Sequence, residues 1–188
     1  MEIVSKNPNI FIICGKARHG KDTIGNIIKK IYDEKEKSYI NIQYSSYIKE
    51  YAKKITDWDG SEETKPRSLL QELGTSVIRK NIDEMFFIDR IIGDIKVYSY
   101  YFDNVIITDA RAKKEVDTPK KEFNKVIAIR VIRPNFDNGL TEEQKNHFTE
   151  IDLDDYDKFD YEVLNDGTIS DLEVKIRKII EEVDNNEY

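Results

Sequence analysis

The chain has 188 residues, 39% hydrophobic and 36% charged, which suits one globular domain (1–188) with enough apolar sequence for a sizeable core. Its formal net charge of −7 argues against broad nucleic-acid binding, because that mode neutralises many phosphates with Lys and Arg. No run approaches the ~20 apolar residues needed to cross a bilayer, and no signal-peptide pattern opens the chain, so a cytoplasmic protein with no membrane partner is expected. Cys14 is the only cysteine, which excludes an internal disulfide, and its position at the end of an apolar run reads as a small buried residue.

The run Ile10-Phe11-Ile12-Ile13-Cys14 predicts a first strand, and Gly15-Lys16-Ala17-Arg18-His19-Gly20-Lys21-Asp22-Thr23 follows it. Glycines at both ends let the backbone curl around an anion, so that amide N–H groups and the positive end of the next helix point at phosphate oxygens. Between a strand and a helix, the spacing G-x-x-x-x-G-K marks a phosphate-binding loop whose Lys21 reaches the outer phosphates. Lys16, Arg18 and His19 add positive charge over the same site. A Ser or Thr normally follows the lysine and places its hydroxyl on Mg²⁺, whereas here Asp22 takes that place and Thr23 comes one later. Asp22 either holds the cation through a bridging water or stabilises the positive helix end.

Ile24, Ile27, Ile28 and Ile31 recur at helical spacing until the charged stretch 33–37. A second strand is predicted at 39–43 and a helix at 45–56. Trp58-Asp59-Gly60-Ser61 marks a loop, and Pro66 opens a helix carrying Leu69, Leu70, Leu73, Val77 and Ile78, with Gly74 as a weak point or close-packing site. A third helical region at about 84–102 leads to the strand Val105-Ile106-Ile107. Asp109-Ala110-Arg111 turns into a charged helix, and Val126 to Ile132 form the next strand, stopped by Arg133-Pro134. Residues 133–158 are polar with only short helical fragments, the best candidate for a lid. A last strand at 161–165 passes through Asp166-Gly167 into a helix from Ile169, and the polar tail from Asp184 onward reads as frayed. Five short strands alternating with helices predict an α/β fold with a mostly parallel sheet covered on both faces.

In open parallel sheets ligands bind beyond the carboxyl ends of the strands. There this chain carries the phosphate loop, Tyr44-Ser45-Ser46, Thr108-Asp109-Ala110-Arg111, Arg133-Pro134 and Asn165-Asp166-Gly167. Asp109 either holds the water shell of a magnesium ion, receives a proton, or caps the helix after it. Most of the basic residues are lysine, so Arg67, Arg111 and Arg133 stand out, because a planar, permanently charged guanidinium suits phosphate clamping. Each has a surface ion pair as its plain alternative. Arg130 interrupts a buried strand and reads as reaching the sheet edge.

With these residues in view, the chain resembles the phage and bacterial deoxynucleoside monophosphate kinases, a branch of the P-loop kinases. The resemblance rests on GKARHGKDT at 15–23, YSSYIKEYAKKI at 44–55, PRSLLQELGTSVIR at 66–79, IITDAR at 106–111, IRVIRP at 129–134 and HFTEIDLDDYDKFDYEVLNDGT at 147–168. It implies a five-stranded P-loop kinase fold with a mobile lid at 133–158 and an acceptor-binding helical region at 44–102. It also implies transfer of the γ-phosphoryl group of ATP, with Mg²⁺, to a nucleoside monophosphate. Carried over by position, Lys21 stabilises the transferring phosphates, and Tyr44, Ser45, Lys49, Arg67 and Gln71 surround the acceptor. Asp109 and Arg111 lie between the substrates, Arg133 closes from the lid, and Asn165 to Gly167 lie near the donor adenine. The resemblance leaves the chain a monomer or a homodimer. Two other readings stay open: a P-loop kinase of another small acceptor, such as dephospho-coenzyme A or phosphomevalonate, and a nucleotide-binding sensor without turnover.

Overall fold

The computed structural model describes residues 4–185. Five strands, β1 (Asn9–Cys14), β2 (Tyr39–Ile42), β3 (Asn104–Ala110), β4 (Val126–Ile132) and β5 (Tyr161–Leu164), form one sheet in the order β2-β3-β1-β4-β5. Every pairing is parallel. Such a sheet needs cover on both faces, and successive side chains of the central strand supply both cores. Ile10, Ile12 and Cys14 face one layer, where they meet Ile88, Ile91 and Ile95 of α4 (Phe86–Tyr98) and Val116 of α5 (Lys113–Glu122). Phe11 and Ile13 face the other, against Ile24 and Ile28 of α1 (Lys21–Glu34) and Ile176 and Ile180 of α8 (Ile169–Asn185). Fully burying one such side chain is worth about 1.5–3 kcal/mol, so the ten residues of β1 and α1 in these cores are the main anchor of the phosphate loop between them.

The chain order places the site. From β1 the path through α1 leads out to β2, beyond β3, while from β3 the path through α5 leads to β4, on the other side of β1. The two crossovers diverge, which opens a crevice at the carboxyl ends of β1 and β3. The β1–β3 register shifts between Ile12 and Cys14, an irregularity at the point where the chain leaves the sheet for the loop.

Several expectations are refined. The helix expected at 45–56 is α2 (Tyr44–Ile55), and the region at 84–102 is helical only over α4, with turns after it. β3 is longer than predicted and carries Thr108, Asp109 and Ala110 within the strand. The helix opened by Pro66 is α3 (Arg67–Gln71) followed by a π-helical stretch, Glu72–Ile82. There Gly74 and Ile78 are buried and Val77 is exposed, and an added Cβ on Gly74 would lie 2.9 Å from Ile48 Cδ1. The close packing expected of Gly74 is therefore present. In the segment 133–158, expected to be a lid, two short helices form, α6 (Glu142–Lys145) and α7 (Phe148–Ile151). Asp184 and Asn185 continue α8 rather than fraying, and the rest of the expected frayed tail, 186–188, lies outside the described residues.

Candidate active site

Beyond Cys14 the backbone closes on itself. Gly15 sits with its α-carbon so near β4 that a Cβ would lie 2.7 Å from the Val131 carbonyl oxygen. At the other end Gly20 has φ +106°, a left-handed conformation that L side chains rarely adopt, and caps α1. Lys21 folds back under the loop and donates to the carbonyls of Gly15 at 2.8 Å and Lys16 at 2.9 Å. It is only 7% exposed. Burial, and then the positive charge of Arg111, push its amine down to about 8. A cation so confined and so poorly solvated gains from an anion placed beside it.

Beside the loop a cleft of about 780 Å³ runs between the exit of β3, α2, the α3–π-helical segment and the lid helices. Ala17, Arg18, Gly20, Lys21, Asp22, Thr23, Tyr44, Ser45, Lys49, Arg67, Gln71, Asp109 and Arg111 all line it. The two oxygens of Asp109 accept the N–H groups of Tyr44 at 3.0 Å and Ser45 at 2.9 Å, so the helix it caps is α2, not the helix that follows it in sequence. Tyr44 reaches the cleft wall only as packing: it is buried, and its hydroxyl donates to the Glu115 carbonyl at 2.7 Å. Arg67 is on the rim, with its side chain 75% exposed and one 3.5 Å pair to Glu62.

Gly15, Lys16, His19, Arg133, Asn165 and Gly167 are not on the cleft wall. Lys16 pairs with Asp154 at 2.9 Å. Asn165 Nδ2 donates to the His19 carbonyl at 2.9 Å, which braces the loop, and Gly167 lies in the turn before α8. Arg133 is exposed and stacks on Phe136 at 3.8 Å, while its backbone N–H donates to His19 Nδ1. The guanidinium expected to close over the phosphates is therefore held against an aromatic face and does not line the cleft. Burial lowers the pKa of His19, which favours the neutral ring that can accept that bond. Arg130 does reach the sheet edge, pairing with Glu162 on β5 at 3.4 Å.

A family model described as deoxynucleotide monophosphate kinase matches residues 29–176. The chain belongs to the deoxynucleotide monophosphate kinase family. It is 27% identical over 164 residues to a deoxynucleotide monophosphate kinase of Enterobacteria phage T4, a match that covers 86% of this chain and 61% of that protein. Among solved structures it resembles an APS kinase of Mycobacterium tuberculosis determined with AMPPNP and APS (TM-score 0.55, 10% identity, 93% of this chain and 98% of that one). It also resembles a dephospho-CoA kinase of Campylobacter jejuni (TM-score 0.56, 15% identity, 94% and 97%) and a shikimate kinase of Aquifex aeolicus (TM-score 0.53, 15% identity, 92% and 96%). These likenesses establish the fold, which is that of the P-loop kinases.

In this family member three cleft residues escape the sequence reading: Arg79, Glu115 and Glu150. Glu115 is fully buried and accepts from the N–H groups of Arg111 at 2.7 Å and Ala112 at 3.1 Å and from Arg79 at 3.0 Å. Burial raises its pKa, and those three donors oppose the rise. Arg79 also donates to the Gly74 carbonyl and lies against the rings of Phe87 and Phe148. The available signal was the run Arg111-Ala112-Lys113-Lys114-Glu115, in which an acid at the third helical position reaches back to the helix start. For the metal, Asp22 is exposed and Thr23 half-buried at the cleft, and among the described residues no cluster of three or more His, Cys, Asp and Glu forms a cage. That donor set fits Mg²⁺, which keeps several waters and takes one or two protein groups besides phosphate oxygens.

Proposed function

We propose that the chain is an ATP-dependent (deoxy)nucleoside monophosphate kinase, converting a (d)NMP to a (d)NDP. The observation that carries this reading is a strand–loop–helix phosphate cradle, with Lys21 beneath it, opening on the same cleft as Arg111 and the helical segment 44–102. Family membership supports the acceptor class, and the shared fold with kinases, one of them solved with an ATP analogue, supports the donor.

In this reading the ATP triphosphate lies along residues 15–23 and the acceptor lies against Ser45, Lys49, Arg67 and Gln71. An acceptor phosphate oxygen attacks the γ-phosphorus in line, the bond from that phosphorus to the β,γ-bridging oxygen breaks, and ADP leaves. No covalent enzyme intermediate is required, so the protein aligns the reactants and covers the charge on the transferring group with Lys21 and Arg111. Asp109 acts through position, fixing the start of α2 and with it Ser45. Thr23 and Asp22 hold the magnesium ion, which neutralises phosphate charge when bound. Asn165 and Gly167 serve the donor end, and residues 133–158 act as the lid that excludes water.

ADP release measured with a panel of monophosphates, alongside dephospho-coenzyme A and phosphomevalonate, tests the reading. Turnover dependent on one or more deoxynucleoside monophosphates is the expected result. Turnover with only the other acceptors, or nucleotide binding without turnover, overturns it.

A further inference from the structure

Helix α7 sends one carboxylate into the phosphate loop. The Glu150 side chain is 7% exposed; one oxygen accepts the Ala17 N–H at 2.9 Å and the other is paired with the Arg111 guanidinium. Ala17 belongs to the loop that cradles phosphate, and Arg111 is the cation between the two substrate positions. Two oxygens of one anion on those two donors reproduce what a phosphate group would do there. The surrounding lid is fastened to the same loop, through Asp154 to Lys16 at 2.9 Å and through the Asn138 carbonyl to Arg18 at 2.7 Å.

We propose that Glu150 is a built-in stand-in for a phosphate: the donor must displace it, and its displacement frees Arg111 for the acceptor. This rests on the kinase reading of the cleft. If the carboxylate occupies the loop in most molecules, every ligand that needs those donors binds more weakly by one common factor, the fraction of molecules with the loop free. Because the same carboxylate also holds Arg111, a donor that expels it makes acceptor binding tighter, so Glu150 couples the two sites. The lid thereby contributes order of events rather than a cation.

Calorimetric titration of the wild-type chain and Glu150→Gln with pyrophosphate and with the non-hydrolysable ATP analogue AMPPNP tests the proposal. The variant keeps the size of the side chain and loses its charge. Both ligands should bind tighter by the same factor, about 10- to 150-fold, the range of one charge-assisted hydrogen bond converted to affinity. AMPPNP should tighten deoxynucleoside monophosphate binding in the wild type and lose that effect in the variant. Asp154→Asn, which breaks two partly exposed pairs, to Lys16 and to Arg130, should change either affinity less than about 5-fold. A second readout needs no variant: pyrophosphate alone should speed amide exchange at residues 148–152 of the wild-type chain. Unchanged or weaker binding in Glu150→Gln, a gain for one ligand only, an equal gain in Asp154→Asn, or no change in exchange overturns the proposal. Failure of both proteins to bind either ligand overturns the kinase reading as well.

Discussion

Lys21 carries two pH dependences of opposite sign. Its amine, pushed down to about 8 in the fold, has an ordinary value of 10.5 in the unfolded chain. Between those values the unfolded state binds more protons, so stability rises with pH across that window. Relative to Lys21→Met, the wild-type chain should gain unfolding free energy from pH 8 to 10.5, and parallel slopes in urea titrations of the two proteins would refute this. Nucleotide binding runs the other way, because a phosphate needs the charged amine, and affinity for ATP should fall as pH climbs past 8. Lys21→Ala should cut turnover more than ~100-fold while the chain still folds, the scale for removing one preorganised electrostatic group. Unchanged turnover would remove the loop from the mechanism. Arg111→Lys keeps the charge but loses the planar fork, so it should raise the KM for the monophosphate by about 1.5–3 kcal/mol equivalent and leave that for ATP less affected. Arg67→Lys should do less, under about 1 kcal/mol, since its side chain is largely in water. Equal effects on both substrates would put Arg111 on the donor side.

At the scale of elements, the start of α5 joins three parts of the cleft wall. Glu115 binds the backbone at Arg111 and Ala112 and the guanidinium of Arg79, and the hydroxyl of Tyr44 donates to its carbonyl. Glu115→Ala leaves the Arg79 side chain, 19% exposed, without its ionic partner and two N–H groups without an acceptor. The expected loss is about 3–5 kcal/mol in urea unfolding, against a smaller loss for Glu115→Gln, which still accepts the N–H bonds. A loss below 1 kcal/mol for the alanine variant would show that the pair is not holding these elements together. Neither this junction nor the π-helical stretch was legible in the sequence. Apolar residues at 69, 70, 73, 77 and 78 satisfy an α-helical face as well as a wider one, and the packing of Gly74 against Ile48 is a tertiary contact that no local pattern announces. The strands were legible for the opposite reason: the run Ile10 to Cys14 is apolar on both faces, and Val126 to Ile132 is interrupted only by Arg130, as a doubly covered parallel sheet favours.

Across the whole molecule, the phosphate loop and its strand–helix setting could be read because the chemistry is contiguous. The part played by residues 133–158 could not, because Glu150 and Ala17 are 133 residues apart in sequence. The arginine of residues 133–158, Arg133, stacks on Phe136, while the group that enters the site is an acid. Residues 133–158 are tied to the rest of the fold mostly by polar contacts, among them those of Asp154, Asn138, Glu150, the Tyr156 hydroxyl, which donates to Asp117, and the Asp152 carboxylate, which accepts the Lys113 N–H at 2.7 Å. Apart from buried Asn138, Glu150 and Tyr156, the side chains of 133–158 are at least partly open to solvent, and the segment's apolar anchor is Tyr156 with Leu153 on the core, so we expect the rest of it to belong to the easily opened part of the fold. With a donor and an acceptor both present, or a linked bisubstrate analogue, the segment should close on the ligands in place of its own carboxylate. Amide exchange over 133–158 should then slow, while β1 and β3, already buried, should not change. Equal protection of 133–158 in free and doubly liganded protein would make the segment a fixed wall of the cleft, and closure would have to be sought in α2 and the π-helical stretch instead.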